Sequence, residues 1–229
     1  MIIAIDGPAG AGKSTVAKIL ARRLGFLYID TGAMYRALTL KALEEEIDPG
    51  DTAGIVKLAN RVRIELKYKR LCGLNVFIDG TNVSKGIRQP NITKIVSDIA
   101  KIKGVRKVML GLQRRMGESN NSVLEGRDIG TVVFPDAQKK FFLDARFNER
   151  VNRRYKELKV TKLKDITVNN VARDLSNRDT IDSTRKIAPL KKAKDAIYID
   201  TTNMSVNKVV KTLLSHIKNR VDQSIGFAN

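Results

Sequence analysis

Short runs of nearly unbroken apolar residues punctuate this chain, each ending on a polar or small residue. They are Ile2 to Asp6, Leu27 to Ile29, Val123 to Glu125, Phe141 to Asp144 and Ile197 to Asp200. Runs of this length, separated by stretches with helical periodicity, predict a five-stranded parallel sheet covered by helices on both faces. Between the first two runs Val16, Ile19, Leu20 and Leu24 recur at helical spacing, with Lys18, Arg22 and Arg23 opposite. The pattern predicts an amphipathic helix over Ser14 to Leu24, stopped by Gly25. Met34 to Leu43 is the next predicted helix. One segment breaks the rhythm: Val62 to Tyr68 alternates apolar and charged residues, and Leu74 to Ile78 follows after Cys72-Gly73. That alternation predicts an antiparallel hairpin with one wet face, a small insertion within about 62–88. A second departure, 146–164, is crowded with arginine and lysine.

Composition narrows the class. A chain of 229 residues, 42% hydrophobic and 29% charged, suits one α/β core with small inserted parts. No apolar run approaches the roughly 20 residues that span a bilayer, and the chain opens directly on a strand-like run, without a signal sequence. A cytoplasmic location without membrane contact is expected. A lone Cys72 forms no intrachain disulfide, and a lone His216 excludes a histidine-rich metal site. The formal charge of +19 attracts polyanions in general, and many of the lysines read as solvated faces. Aromatic content of 5% without tryptophan lacks a stacking platform for single strands, so specific nucleic-acid binding is not expected.

The strongest chemical signal is Gly7-Pro8-Ala9-Gly10-Ala11-Gly12-Lys13-Ser14, which fits Gly-x-x-x-x-Gly-Lys-Ser/Thr between a predicted strand and a predicted helix. Glycines let backbone N–H groups turn toward phosphates, and the helix start adds its dipole. Lys13 is placed to bridge the β- and γ-phosphates of a nucleotide, and the Ser14 hydroxyl to meet Mg²⁺. A phosphate loop alone leaves GTPases, helicases, ATPase machines and small-molecule kinases open. No Asn-Lys-x-Asp guanine motif is present, which argues against a GTPase.

An anionic acceptor has its own candidates. Asp30-Thr31-Gly32-Ala33-Met34-Tyr35-Arg36 follows the second strand, and Glu125-Gly126-Arg127-Asp128-Ile129-Gly130-Thr131-Val132-Val133-Phe134-Pro135 follows another. Arg178, Asp182 and Arg185 are spaced four and three apart, which puts them on one face of a continuing helix. Arg150, Arg153 and Arg154 repeat the cationic theme. Phosphoryl transfer needs such an arrangement, because positioned cations supply most of the transition-state stabilisation.

These motifs, with Arg185-Lys186-Ile187-Ala188-Pro189-Leu190, closely resemble bacterial cytidylate kinases of the nucleoside monophosphate kinase group over nearly the whole chain. The resemblance implies a P-loop NTPase fold of three layers, a three-stranded insert in the NMP-binding region and a short helical lid. The implied division is a core of 1–30, 89–145 and 186–229, an NMP-binding region of 31–88, and a lid region of 146–185. The implied reaction moves the γ-phosphoryl of ATP onto CMP or dCMP, with Mg²⁺. Gly7 to Ser14, with Thr15, would hold ATP. Lys13, Arg127, Arg154 and Arg185 would act on the transferring group. Ser97, Arg106 and Asp128 would hold cytosine. Tyr35, Arg36, Arg127 and Arg185, with Thr31 nearby, would hold the acceptor phosphate, and Arg178 and Asp182 the sugar. A monomer without a stable protein partner is implied. The rivals are a related kinase for UMP or AMP and a nucleic-acid-stimulated ATPase.

Overall fold

The computed structural model describes residues 1–69, 73–160 and 166–218. Five strands form one parallel sheet: β1 (Ile2–Asp6), β2 (Leu27–Asp30), β6 (Ser122–Gly126), β7 (Lys139–Asp144) and β8 (Ile197–Asp200), in the order β2-β6-β1-β7-β8. β1 lies between β6 and β7, with Ile5 opposite Glu125 on one side and Phe141 on the other. This is the predicted sheet with its ends adjusted by a residue or two, which is where strand assignments are softest.

Acidic side chains recur at the strand ends, and several of them bind the backbone that follows. Asp30 accepts from the Ala33 N–H at 2.9 Å, so α2 (Thr31–Glu44) starts three residues before the predicted Met34. Asp200 accepts from the Thr202 N–H at 2.8 Å. Each carboxylate satisfies an N–H that the turn out of a strand would leave unpaired.

Helices cover both faces. α1 (Lys13–Leu24) and α8 (Val206–Lys218) bury Val16, Leu20, Val210 and Leu213 against Ile3, Ile5 and Phe141. On the opposite face Ala4, Ile29 and Leu124 pack with Val133 and Phe134, next to α5 (Lys103–Glu118). The ring of His216 leans on Phe141 at 6.4 Å. Cys72 lies outside the described residues.

The predicted hairpin is present as β3 (Ile64–Lys69) and β4 (Gly73–Ile78), and β5 (Thr81–Asn82) completes a separate three-stranded antiparallel sheet. It rests on α2, α3 (Thr52–Arg61) and α5 through a second core that includes Met34, Leu38, Ile55, Leu58, Ile78 and Val105. α4 (Pro90–Ala100) leads into α5. The basic stretch becomes α6 (Phe147–Val160), which pairs with α7 (Val168–Thr184) through Val151, Val171 and Leu175. Ala9 of the glycine-rich loop joins that small cluster, tying the loop to these two helices. Among the described residues no helix is long and apolar enough to cross a membrane.

Candidate active site

The glycine-rich loop leaves β1 and enters α1 at the carboxyl edge of the sheet, where ligands of parallel sheets gather. α1 has no side-chain cap, so its first N–H groups are left for an anion. Gly7 has φ +146°, and a Cβ there would run into the Leu143 carbonyl of β7. Gly10 has φ +77° and would place a Cβ 2.9 Å from the Arg150 carbonyl oxygen. Both positions therefore need glycine for conformation and for space.

Lys13 is buried and donates to the Pro8 carbonyl at 2.6 Å, folding its ammonium back over the loop. Burial, with the charge of Arg127 behind it, pulls its pKa down to about 7. The Ser14 hydroxyl donates to Glu125 Oε2 at 2.8 Å, and Tyr28 donates to the other oxygen of the same carboxylate. Burial, followed by the nearby Asp30, raises the Glu125 pKa. Hydroxyl and carboxylate are hard oxygen donors, a set that fits Mg²⁺. Thr31, one of the substrate candidates, is buried with its hydroxyl donating to the Glu125 carbonyl at 2.6 Å.

Opposite the loop a buried chain of charges forms. Arg106 pairs with Asp128, and Asp128 also meets Arg185 at 3.4 Å. Arg185 reaches Asp182 at 3.6 Å, and Asp182 takes a hydrogen bond from Arg127 Nε at 2.8 Å. Burial opposes ionisation of Asp182, but Arg127 and Arg178 outweigh it and hold its pKa below the ordinary carboxylate value. Tyr35 lies under the Arg106 guanidinium, 5.8 Å from it, and its burial raises its pKa. Arg106 Nη1 also donates to the Ala100 carbonyl at 3.3 Å, at the end of the helix that carries buried Ser97.

Other arginines lie outside this chain of ion pairs. Arg178 Nε is buried without a hydrogen-bond partner among the described residues, and burial together with Arg127 and Arg36 lowers its pKa to about 9. Arg36 donates to Thr93 Oγ1 at 2.8 Å. Its pKa falls to about 10, through burial first, with Arg154 and Arg127 adding against the pull of Asp30. Arg154 itself pairs with Glu157 at 2.8 Å. Desolvated cations crowded this way are prepared for an anion.

The structure thus brings together Lys13, Arg36, Arg127, Arg154 and Arg178, and Arg127 joins them through Asp182 to Arg185, Asp128 and Arg106. The predicted common helical face of Arg178, Asp182 and Arg185 needs one correction. α7 ends at Thr184, and Arg185, with ψ 139°, turns out of the helix while keeping its contact with Asp182.

Several contributors had no individual role assigned from the sequence, though Glu125, Arg150 and Arg153 lie in motifs it singles out. Glu125 ends the strand beside β1, a position that a carboxylate at a strand terminus could have flagged. Asp179 accepts from the Ala9 N–H at 3.2 Å and pairs with Arg150, whose Nη1 donates to the Ala9 carbonyl at 3.0 Å. The two residues thereby clasp the loop, and because Asp179 is 170 positions away no local spacing announces it. Arg153 donates to the Thr201 hydroxyl at 3.0 Å, and that hydroxyl donates to the Ala11 carbonyl at 3.2 Å.

A phosphate loop, an uncapped helix start and a facing cluster of arginines define a P-loop phosphotransferase. A family profile described as cytidylate kinase matches residues 3–219. The cytidylate kinase of Caldanaerobacter subterraneus is 50% identical over 216 residues, covering 94% of each chain. That of Halalkalibacterium halodurans is 47% identical over 221 residues, covering 96% of this chain and 99% of the relative. A solved structure of an uncharacterized protein from Eubacterium ventriosum superposes with a TM-score of 0.51 at 12% identity, covering 96% of this chain and 98% of that one, a likeness of fold alone. The chain belongs to the cytidylate kinase family. It is an ATP-dependent nucleoside monophosphate kinase acting on CMP or dCMP.

Proposed function

We propose that the facing sites divide the reaction between donor and acceptor, with 1–30, 89–145 and 186–229 as the core, 31–88 gripping the acceptor and 146–185 as the lid. The loop N–H groups of Gly7 to Gly12, Lys13, Ser14 and Thr15 hold the ATP phosphates. Ser14 would hold Mg²⁺, with Glu125 behind it, and the ion would supply charge neutralisation at the phosphates. The cleft of about 310 Å³ lined by Arg146, Phe147, Asn152, Thr202 and Asn203 borders the loop through Thr201 and is the place for the donor base.

On the acceptor side Asp128, held by Arg106 and Arg185, accepts from the cytosine amino group, with Ser97 beside it. Arg36, Arg127 and Arg185 take the acceptor phosphate, with Tyr35 setting the Arg106 guanidinium and Thr31 fixing the end of β6. Arg178 and Asp182 take the sugar. A phosphate oxygen of CMP then attacks the γ-phosphorus in line, ADP departs, and Lys13, Arg127, Arg154 and Arg185 balance the developing charge. The acceptor phosphate is already ionised at neutral pH, so no general base is required. The reading takes the protein as a cytoplasmic monomer, as the resemblance implies; a sedimentation profile with a dimer would overturn that part.

The observation that carries this reading is the buried chain Arg106–Asp128–Arg185–Asp182–Arg127, which presents an oxygen acceptor and cations together. A buried acceptor rejects a base that lacks its donor, because the acceptor would be left unpaired. The test is ADP release with CMP, dCMP, UMP and AMP for the wild type and Asp128→Ala. CMP and dCMP dominate in the wild type, and the variant loses at least about tenfold of its preference for CMP over UMP. Equal turnover of UMP by the wild type would remove the cytosine assignment.

The loop clasp gives a separate expectation. Asp179→Asn removes the nearer of the two carboxylates beside Arg150, leaving Asp144 at 3.9 Å, and weakens the bond to the Ala9 N–H, so KM for ATP rises about tenfold while KM for CMP stays within about twofold. Steady-state kinetics with each substrate varied in turn check it, and an unchanged KM for ATP refutes the clasp.

A further inference from the structure

Asp6 ends β1, is buried, and takes no part in the phosphate contacts described above. Its Oδ1 accepts from the Ile129 N–H at 2.8 Å and its Oδ2 from the Gly130 N–H at 2.7 Å. These two N–H groups open the π-helical turn Ile129–Val133, in which the N–H groups of Val132 and Val133 both return to the Asp128 carbonyl. The far end of that turn is held separately by Arg114, which donates to the Val133 and Val132 carbonyls at 2.9 and 3.0 Å. Asp6, which precedes Gly7, ties the near end, next to Asp128, to the end of β1.

The geometry points to Asp6 as a positioning residue: by holding the Ile129 and Gly130 N–H groups it sets the aim of Asp128, so discrimination between acceptor bases depends on it. The inference rests on the reading of Asp128 as the base-selecting acceptor. Arg106 and Arg185 fix the Asp128 carboxylate from the outside, but two salt bridges cannot hold an aim if the backbone beneath them shifts. Two hydrogen bonds to a charged acceptor, out of water, make that backbone stiff. The carboxylate also joins the start of the phosphate loop to the acceptor-reading turn, so the two substrates are set against each other from one side chain.

The charged groups facing Asp6 come from three elements. Asp128, on the turn, disfavours its ionised form, and Lys13, on α1, favours it. The stem of Lys140, on β7, lies against Gly130, with its ammonium turned to the Pro135 carbonyl and Asp195. Burial dominates and raises the Asp6 pKa to about 6. Below that pH one oxygen becomes a hydroxyl facing an N–H, so the tie weakens as pH falls and is complete above it.

The test compares kcat/KM for CMP and for UMP in the wild type, Asp6→Asn and Asp128→Ala. The ratio of the two substrates cancels the ionisation of their phosphates, which is common to both and also falls near pH 6. Asp6→Asn sets an amide N–H against a backbone N–H; it lowers the CMP-to-UMP ratio by about tenfold or more, with KM for ATP within about twofold. In the wild type the ratio falls as pH drops through about 6, and in Asp6→Asn it is flat. A variant that loses rate but keeps the ratio shows Asp6 to be scaffold only and overturns the inference. If Asp128→Ala keeps the ratio, the base-reading assignment fails first; if it loses the ratio and Asp6→Asn does not, only the inference about Asp6 fails. Should Asp6→Asn not fold, the wild-type profile decides, and a flat ratio down to about pH 5.5 overturns the proposal.

Discussion

Replacing Lys13 with methionine lowers kcat by about 10²- to 10³-fold while the protein stays folded. Lys13 is the one loop cation, it is buried, and its ammonium rests on the Pro8 carbonyl. Burial and the neighbouring Arg127 bring its pKa down to about 7. A polyphosphate oxygen at hydrogen-bond distance favours the charged form of that ammonium. The charge is therefore strongest when the γ-phosphoryl is in place. Methionine keeps the stem and removes the charge, so packing is preserved and melting changes little. Coupled ADP release and a thermal melt check the two halves; a kcat within tenfold of wild type would remove Lys13 from the transfer step.

The largest effect on stability falls on Gly7→Ala, expected to cost more than about 4 kcal/mol and to lower the melting temperature by about 10 °C or more. The added methyl meets the Leu143 carbonyl oxygen, and φ at +146° is open to glycine alone. β1 and β7 are paired at Asp6 and Phe142, so neither strand can retreat without breaking the central sheet. Gly25→Ala is the control. Its φ of +68° is also left-handed, but nothing lies within 4 Å of the new methyl. That variant loses only about 1 kcal/mol. Equal melting of the two variants would show that conformation alone, and not the contact with β7, dictates Gly7.

The elements that were legible in the sequence are those whose signal is local. The five strands are continuous apolar runs because both faces of a parallel sheet are covered, and the hairpin alternates because one of its faces is wet. The phosphate loop is legible for the same reason: turn, dipole and ammonium come from eight consecutive residues. The acceptor arginines were visible as types, and their partners were not. Asp6 with Ile129, Ser14 with Glu125 and Asp179 with Ala9 are joined across more than a hundred positions. The first two follow from strand order and the third from the docking of α7 on the loop, and periodicity carries no information about which elements lie side by side. The start of α2 was misplaced because its cap, Asp30, belongs to the preceding strand.

The clasp of Arg150 and Asp179 on Ala9 joins the phosphate loop to α6 and α7 through both polar groups of a single peptide residue. Any displacement of those helices is then mechanically transmitted to the donor phosphates. Linkage is reciprocal: if a bound triphosphate favours one placement of α6 and α7, that placement strengthens the hold on the triphosphate by the same factor. Substitutions along the outer faces of α6 and α7, remote from either substrate, become a means of tuning nucleotide residence time without touching the loop.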